Sequence, residues 1–406
     1  MFCFVLKHYM MRNILRLYLL LFVIFSVTDV ISANRVQPIL GIENIDYIVR
    51  VLHSKRIALV VNQSSVVGVN QTHLLDTLLK RGVKVVKVFS PEHGFRGKAD
   101  AAAAVNDSLD VKTHTPIISL FGKKIKPTSD DLKDVDIVVY DIQDVGLRFY
   151  TYISTMHYVM EACAQYGKQM MILDRPNPND FVDGPMMEDG CQSFIGVDYI
   201  PMLYGMTPGE LALMINGEGW LKSTPNKCRL KVVRLKNWRH GDPYSLPIKA
   251  SPNLPNDQSI RLYASICIMG PTNCSVGRGT DFPFQVIGFP DKKYGDFCFI
   301  PRSIPGAAMH PIYEGMECYG VDLRQCPFKG GLTLKFLFDF YEKSGRAFDF
   351  IKDATWFSHL IGNTKMLQQM REGRTAEEIR ASWQPDLKKF KRLRSKYLLY
   401  PDYKLK

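Results

Sequence analysis

Apolar residues between Arg56 and Leu173 fall in short unbroken runs separated by amphipathic stretches. The runs occupy 57–61, 83–89, 117–121, 137–140 and 170–173, are rich in β-branched residues, and are too continuous for strands with one face in water. Between them, Leu74, Leu75, Leu78 and Leu79 recur at helical spacing, as do Met156, Val159, Met160 and Cys163. Buried strands alternating with helices predict a parallel sheet covered on both faces, so residues 34–197 are expected to form a doubly wound α/β domain.

From about Asp198 the pattern changes. A helix is predicted over 208–217, with Thr207 as N-cap and Glu210 at the capping-box position. A strand is predicted over 230–235, then a loop-rich stretch punctuated by Pro247, Pro252, Pro255, Pro271, Pro283 and Pro290. Helices are expected over 332–343 and 375–384, and the basic stretch 388–396 reads as a solvated helix face. Residues 198–406 therefore read as a second, α+β domain. Without internal repeats or a low-complexity linker, the two domains are expected to pack closely.

The N-terminus changes the picture of where the protein works. Lys7, Arg12 and Arg16 precede an apolar run over 17–27, and the small residues Ser32 and Ala33 follow. This is the order of a secretory signal peptide, assigned to 1–33. An uncleaved anchor is the alternative, but the run is short for about 30 Å of hydrocarbon. The mature chain is expected to be exported, periplasmic or secreted, without stable membrane insertion. Of nine cysteines, Cys3 would leave with the signal; the remaining even number permits disulfides outside the cytoplasm. Cys163 and Cys267 lie in apolar runs, where a buried thiol is expected, and no CxxC pair supports a zinc knuckle.

With 46% hydrophobic and 23% charged residues, the composition is that of a globular protein and excludes disorder, collagen and coiled coil. Lys and Arg number 52 against 40 Asp and Glu, a formal charge of +12. That balance favours an acidic partner: nucleic acid, anionic lipid or a carboxylate-bearing polymer. Export argues against nucleic acid.

An open parallel sheet binds ligands beyond the carboxyl ends of its strands, and here those ends are polar. Asn62 and Gln63 follow the first run. Ser90-Pro-Glu-His-Gly-Phe-Arg-Gly97 follows the second, Asp141-Ile-Gln-Asp-Val-Gly-Leu-Arg-Phe-Tyr150 the fourth, and Asp174-Arg-Pro-Asn-Pro178 the fifth. No G-x-G-x-x-G, phosphate loop, G-x-S-x-G elbow or H-E-x-x-H occurs. Gly277-Arg278-Gly279-Thr280 suits an anion but is weak alone. What remains is carboxylate chemistry, with Glu92, Asp141, Asp144 and Asp174 as candidate acids.

Two carboxyls flanking an acetal are the usual requirement for glycoside hydrolysis. A carboxyl that protonates a leaving group near neutrality needs an apolar, poorly solvated setting, and Glu92 lies beside Pro91, Gly94 and Phe95. Arg148 suits a bidentate grip on a substrate carboxylate; Tyr150 and Tyr152 suit hydrogen bonding or stacking on a sugar. Each residue also has a structural alternative. Glu92 suits a loop cap, His93 a satisfied loop histidine, and Asp141 and Asp144 an Asx turn and a salt bridge to Arg148. Asp174 with Arg175 suits a local ion pair, and of the two tyrosines only one need face the crevice.

The run from Ser90, the run from Asp141 continued through Thr151 to Tyr152, and the run from Asp174, with Tyr204-Gly-Met-Thr-Pro-Gly-Glu-Leu-Ala212, Ser251-Pro-Asn253 and Ser275-Val-Gly-Arg-Gly-Thr280, resemble the signature runs of NamZ-type exo-β-N-acetylmuramidases. The similarity extends from about Gly41 to the C-terminus. It implies a hydrolase removing N-acetylmuramic acid from the non-reducing end of peptidoglycan fragments, with a Rossmann-like N-terminal domain and a smaller second domain closing the cleft. Glu92 matches the family's catalytic glutamate; no cofactor or metal is implied. The substrate's lactyl carboxylate would give Arg96, Arg148 and Arg278 a purpose, with phosphate or sulfate binding as the rival use. The candidate site is thus Glu92, Asp141, Asp144 and Tyr150 for catalysis, and Asn62, Gln63, His93, Arg96, Arg148, Tyr152, Asp174 and Arg278 for binding. Participation of the substrate's N-acetyl group is an alternative to a second carboxylate. The competing function is a non-catalytic module that captures muropeptides.

Overall fold

The computed structural model describes residues 37–95 and 107–403. The predicted signal segment and Arg96 lie outside the described residues. The five strands read from the apolar runs all form. We label the strands of the main sheet β1 (Arg56–Val61), β2 (Lys84–Ser90), β3 (Ser108–Leu109), β4 (Pro116–Ser119), β5 (Ile137–Asp141), β6 (Gln169–Leu173) and β7 (Arg229–Val233). They assemble in the order β7-β6-β5-β1-β2-β4-β3, parallel throughout except for the β3–β4 pair. The chain starts at the centre, builds outward through β2 and β4, then returns to the other side of β1 with β5. Apart from the β3 edge, this is the dinucleotide-fold order, and its reversal point lies between β1 and β5.

Strand periodicity explains why both sheet faces are covered. Ile57, Leu59 and Val61 pack with Ile48, Leu52, Leu74, Leu75 and Leu78 of the helices on one face. Ala58 and Val60 point the other way, against Met156, Val159, Met160 and Cys163 of the helix Tyr152–Gln165. Each such side chain contributes about 1.5–3 kcal/mol by leaving water. This second core runs without a break into the C-terminal half, through Leu262, Phe284, Phe340, Phe357 and Phe390. The helix Tyr152–Gln165 is consequently buried nearly all round.

The helix Pro208–Gly217 forms at the predicted bounds, with the Thr207–Glu210 capping box intact. A second box, Thr375 with Glu378, starts the helix Ala376–Ser382. The strand predicted over 230–235 forms as β7 and joins the parallel sheet beside β6. The proline-punctuated stretch contains a helix that periodicity did not reveal, Asp257–Cys267, capped by Asn256. The smaller second domain carries a three-stranded antiparallel sheet, with Cys318–Asp322 between Val286–Phe289 and Phe297–Phe299, and a group of short helices. The basic stretch near the C-terminus lies in the helix Gln384–Arg394. It is not wholly solvated: Arg394 is buried, donating to the Gly205 carbonyl and pairing with Asp402. The eight described cysteines are free thiols, seven of them buried or half-buried. Among the described residues no helix is long and apolar enough to cross a membrane.

Candidate active site

The turn after β2 carries Glu92. His93 and Gly94 both adopt positive φ (+66° and +77°), which folds the chain back over the strand end and holds Glu92 half-buried. Thr151 is the N-cap of the helix Tyr152–Gln165, yet its side chain does not cap the helix. The Thr151 hydroxyl instead donates to Glu92 Oε2 at 2.6 Å. The carboxylate thus faces the positive end of a helix.

Glu92 lines a cavity of about 290 Å³, with His93, Phe149, Tyr150 and Thr151 on one side. Ser251, Asn253, Tyr263, Arg278, Phe284 and Trp356 form the opposite walls. Arg278 lies over the Phe284 ring at 4.9 Å, and Phe284 meets Tyr263 edge to face at 4.7 Å. Tyr263 in turn touches Phe149 at 5.5 Å and Tyr150 at 6.2 Å. The Tyr150 hydroxyl donates to the Ala250 carbonyl at 2.9 Å, tying the wall to the segment that bears Ser251 and Asn253. Among the described residues, Glu92 is the one carboxylate lining this cavity. A neighbouring cavity of about 900 Å³ shares Ser251 and Asn253 with it and reaches Gln63, Lys249 and Thr280. Asn253 donates at 2.7 Å to the carbonyl of Ala307, which lines the same larger cavity.

Of the sequence-predicted residues, Glu92, His93, Tyr150 and Arg278 therefore meet in one cavity, and Gln63 in the next. The others are placed elsewhere, for stated reasons. Asn62 is buried and its Oδ1 accepts from the Ser64 backbone and hydroxyl, shaping the turn after β1. Asp141 accepts two bonds from Arg175, at 2.6 and 2.9 Å, in a fully enclosed pair. Asp144 makes an Asx turn onto Gly146 N at 2.6 Å and accepts from the Tyr204 hydroxyl. Burial pushes its carboxyl up to about 7, although the Tyr204 and Gly146 bonds pull it down.

Arg148 faces the scaffold and is not among the residues lining the Glu92 cavity. Its buried guanidinium donates to the carbonyls of Pro185, Ile200, Leu360 and Ile361, which saturates two of its nitrogens against the scaffold. Gly362, at φ +89°, is needed there because a Cβ would collide with that guanidinium. Tyr152 is buried behind Tyr150, ring to ring at 4.7 Å, and burial raises its hydroxyl well above the ordinary value. Asp174 accepts from Thr207, Gly209 N and the Tyr400 hydroxyl, and burial pushes it up to about 6 against the Tyr400 bond. Sequence reasoning missed Thr151, Tyr263, Phe284 and Trp356. Thr151 lay inside the quoted motif, but nothing in its position signals that a helix cap turns outward to a carboxylate.

Fold and cavity define an α/β protein that presents a carboxylate, held by a helix N-cap hydroxyl, inside an aromatic, arginine-bearing hollow beyond the strand ends. Residues 57–258 match the family model described as exo-β-N-acetylmuramidase NamZ, N-terminal, and residues 261–400 match its C-terminal counterpart. The peptidoglycan β-N-acetylmuramidase NamZ of Bacillus subtilis (strain 168) is 38% identical over 375 residues, 86% of this chain and 88% of that protein. Crystal structures of two DUF1343 family proteins from Bacteroides fragilis NCTC 9343 share the fold. One has a TM-score of 0.83 at 43% identity, covering 91% of this chain; the other has 0.78 at 31%, covering 90%. Both of those chains are covered over 100% of their length. The chain belongs to the NamZ family and is a glycoside hydrolase acting on peptidoglycan, which displaces the binding-module alternative.

Proposed function

We propose that this protein is an exported, exo-acting glycosidase that hydrolyses terminal non-reducing β-N-acetylmuramic acid from peptidoglycan fragments, with Glu92 as general acid. The observation that carries the reading is the isolation of Glu92 as the carboxylate of the aromatic cavity, held by Thr151. At about 290 Å³ the cavity is at the small end for ligand sites, in keeping with one saccharide unit. Phe284, Trp356 and Leu360 give it an apolar lining against which one sugar unit can pack.

Glu92 protonates the glycosidic oxygen as its bond to the anomeric carbon breaks. With Asp141 and Asp144 committed to the scaffold, the second group is the substrate's own N-acetyl carbonyl oxygen, which attacks the anomeric carbon. Glu92, now a carboxylate, takes a proton from the water that opens the cyclic intermediate. Arg278 receives the lactyl carboxylate, and the larger cavity beyond Ser251 and Asn253 receives the leaving portion. The test is a chromogenic β-N-acetylmuramide offered to wild type and to Glu92→Gln. Turnover by the variant within a few-fold of wild type removes Glu92 from the mechanism, and no turnover by wild type removes the substrate assignment.

A further inference from the structure

A second hollow, of about 280 Å³, lies on the outer side of the helix Tyr152–Gln165. Its walls hold four half-buried aromatic rings: Tyr158, Phe194, Tyr199 and Trp220. Tyr158 and Phe194 are parallel, 2° apart in plane, with centroids 6.1 Å apart. Tyr199 and Trp220 meet edge to face at 6.1 Å. Such rings present electron-rich faces to the weakly positive C–H groups on the apolar face of a pyranose. Gln192, Ser193 and Ser223 add polar groups around the rim.

The charges at this hollow are unequal in their commitments. Glu161 is occupied, accepting from Lys126 at 3.0 Å and from Ser223 N at 2.7 Å. Asp198 is occupied by His157 at 2.8 Å. Lys222 is exposed, lies over the Tyr199 ring at 5.2 Å and donates to the Tyr199 hydroxyl at 3.2 Å. Among the described residues it makes no ion pair. Asp189, also exposed, accepts from the Tyr199 hydroxyl at 2.8 Å and from Gln192 at 3.2 Å, and Lys222 has no hydrogen-bonded partner of opposite sign among the described residues.

The hollow is also tied to the Glu92 cavity. Ser193 and Gly196 exchange two backbone hydrogen bonds, at 3.1 and 3.0 Å, closing a tight turn. At its tip, Phe194 lines the second hollow while Ile195 lines the Glu92 cavity. One two-residue tip separates the two.

We propose that the hollow between Tyr158, Phe194, Tyr199 and Trp220 is an accessory binding site for an acidic saccharide chain, with Lys222 receiving a sugar-borne carboxylate. The class of ligand rests on the glycosidase reading above: a muramic-acid-containing glycan supplies both a stacking ring and a carboxylate. The site holds the polymer while its end is processed across the Ser193–Gly196 turn.

The test reads binding apart from turnover. In a Glu92→Gln background, co-sedimentation with insoluble peptidoglycan sacculi is measured for Lys222→Glu and Trp220→Ala. Each is expected to weaken binding roughly three- to tenfold. With Glu92 intact, Lys222→Glu is expected to leave hydrolysis of the small chromogenic muramide unchanged while raising KM on sacculi. A neutral chito-oligosaccharide is expected to bind independently of Lys222. Unchanged sacculus binding in Lys222→Glu, which is exposed and keeps the fold, overturns the proposal. So does an equal loss on the small substrate. If wild type releases no muramic acid yet Lys222-dependent binding persists, the glycosidase reading falls and the accessory site stands.

Discussion

The Thr151 hydroxyl donates to Glu92 Oε2 at 2.6 Å, joining the first residue of a buried helix to a turn at the end of β2. The residue that would ordinarily satisfy the helix's own N–H groups serves a carboxylate 59 positions earlier in sequence instead. The helix is buried against the sheet on one side and the second domain on the other, so this contact fixes the carboxylate relative to both. Removing the hydroxyl with Thr151→Val is expected to lower kcat about tenfold, with a much smaller change in KM. Steady-state kinetics on a chromogenic muramide separate the two effects.

Glu92→Gln preserves the shape of the side chain and removes its proton chemistry. Turnover should fall between roughly a hundredfold and ten-thousandfold. The thermal unfolding midpoint should stay within a few degrees of wild type, which distinguishes loss of chemistry from loss of fold.

Arg278 stacks on Phe284 within the cavity. If it receives the lactyl carboxylate, Arg278→Met should raise KM for a muramide roughly tenfold or more. A glucosaminide lacking the lactyl group should be barely affected, so the variant's preference between the two substrates should narrow. Parallel losses on both substrates would assign Arg278 to wall packing alone.

Arg148 serves stability. Replacing it with Leu strands four buried carbonyls, those of Pro185, Ile200, Leu360 and Ile361. The expected cost is on the order of 3–5 kcal/mol, read by urea unfolding. The folded fraction should keep the wild-type KM.

His240 sets a pH dependence. Burial lowers its basicity, but hydrogen bonds to Asp180 and Glu210 outweigh that and carry it from 6.5 up to about 9. Because the folded state holds this proton more tightly than the unfolded chain, the stabilisation is complete below about 6.5 and disappears as pH rises through about 9. Melting temperatures between pH 6 and 10 should fall for wild type and fall less for His240→Gln.

The sheet was legible because its strands are buried on both faces, which writes them as unbroken apolar runs with little else to resemble. The capping box at Thr207 was legible for an equally local reason. The helix Asp257–Cys267 was hidden by the prolines on both sides of it, and the short helices of the second domain by the weakness of their individual periodicities. Glu92, His93 and Tyr150 were singled out by motif and strand-end position and Arg278 by its glycine-flanked segment, and all four line one cavity. Asp141, Asp144, Asp174 and Arg148 were singled out on similar grounds and bond to the scaffold, because a polar residue at a strand end reads the same whether it faces a ligand or locks one loop to another. Their partners (Arg175, Tyr204, Tyr400 and the four carbonyls) come from 34 to 226 positions away. No local pattern announces them.

The bond from the Tyr400 hydroxyl to Asp174 has a consequence for how the molecule is made. Asp174 directly follows β6, in the middle of the sheet's later half, while Tyr400 reaches it from a segment translated 226 residues later. A ribosome-bound chain that already contains every strand of the main sheet still lacks the lid over this acid. The sheet's polar edge must wait, hydrated and incompletely locked, until residues near 400 emerge and dock, so the two domains mature together.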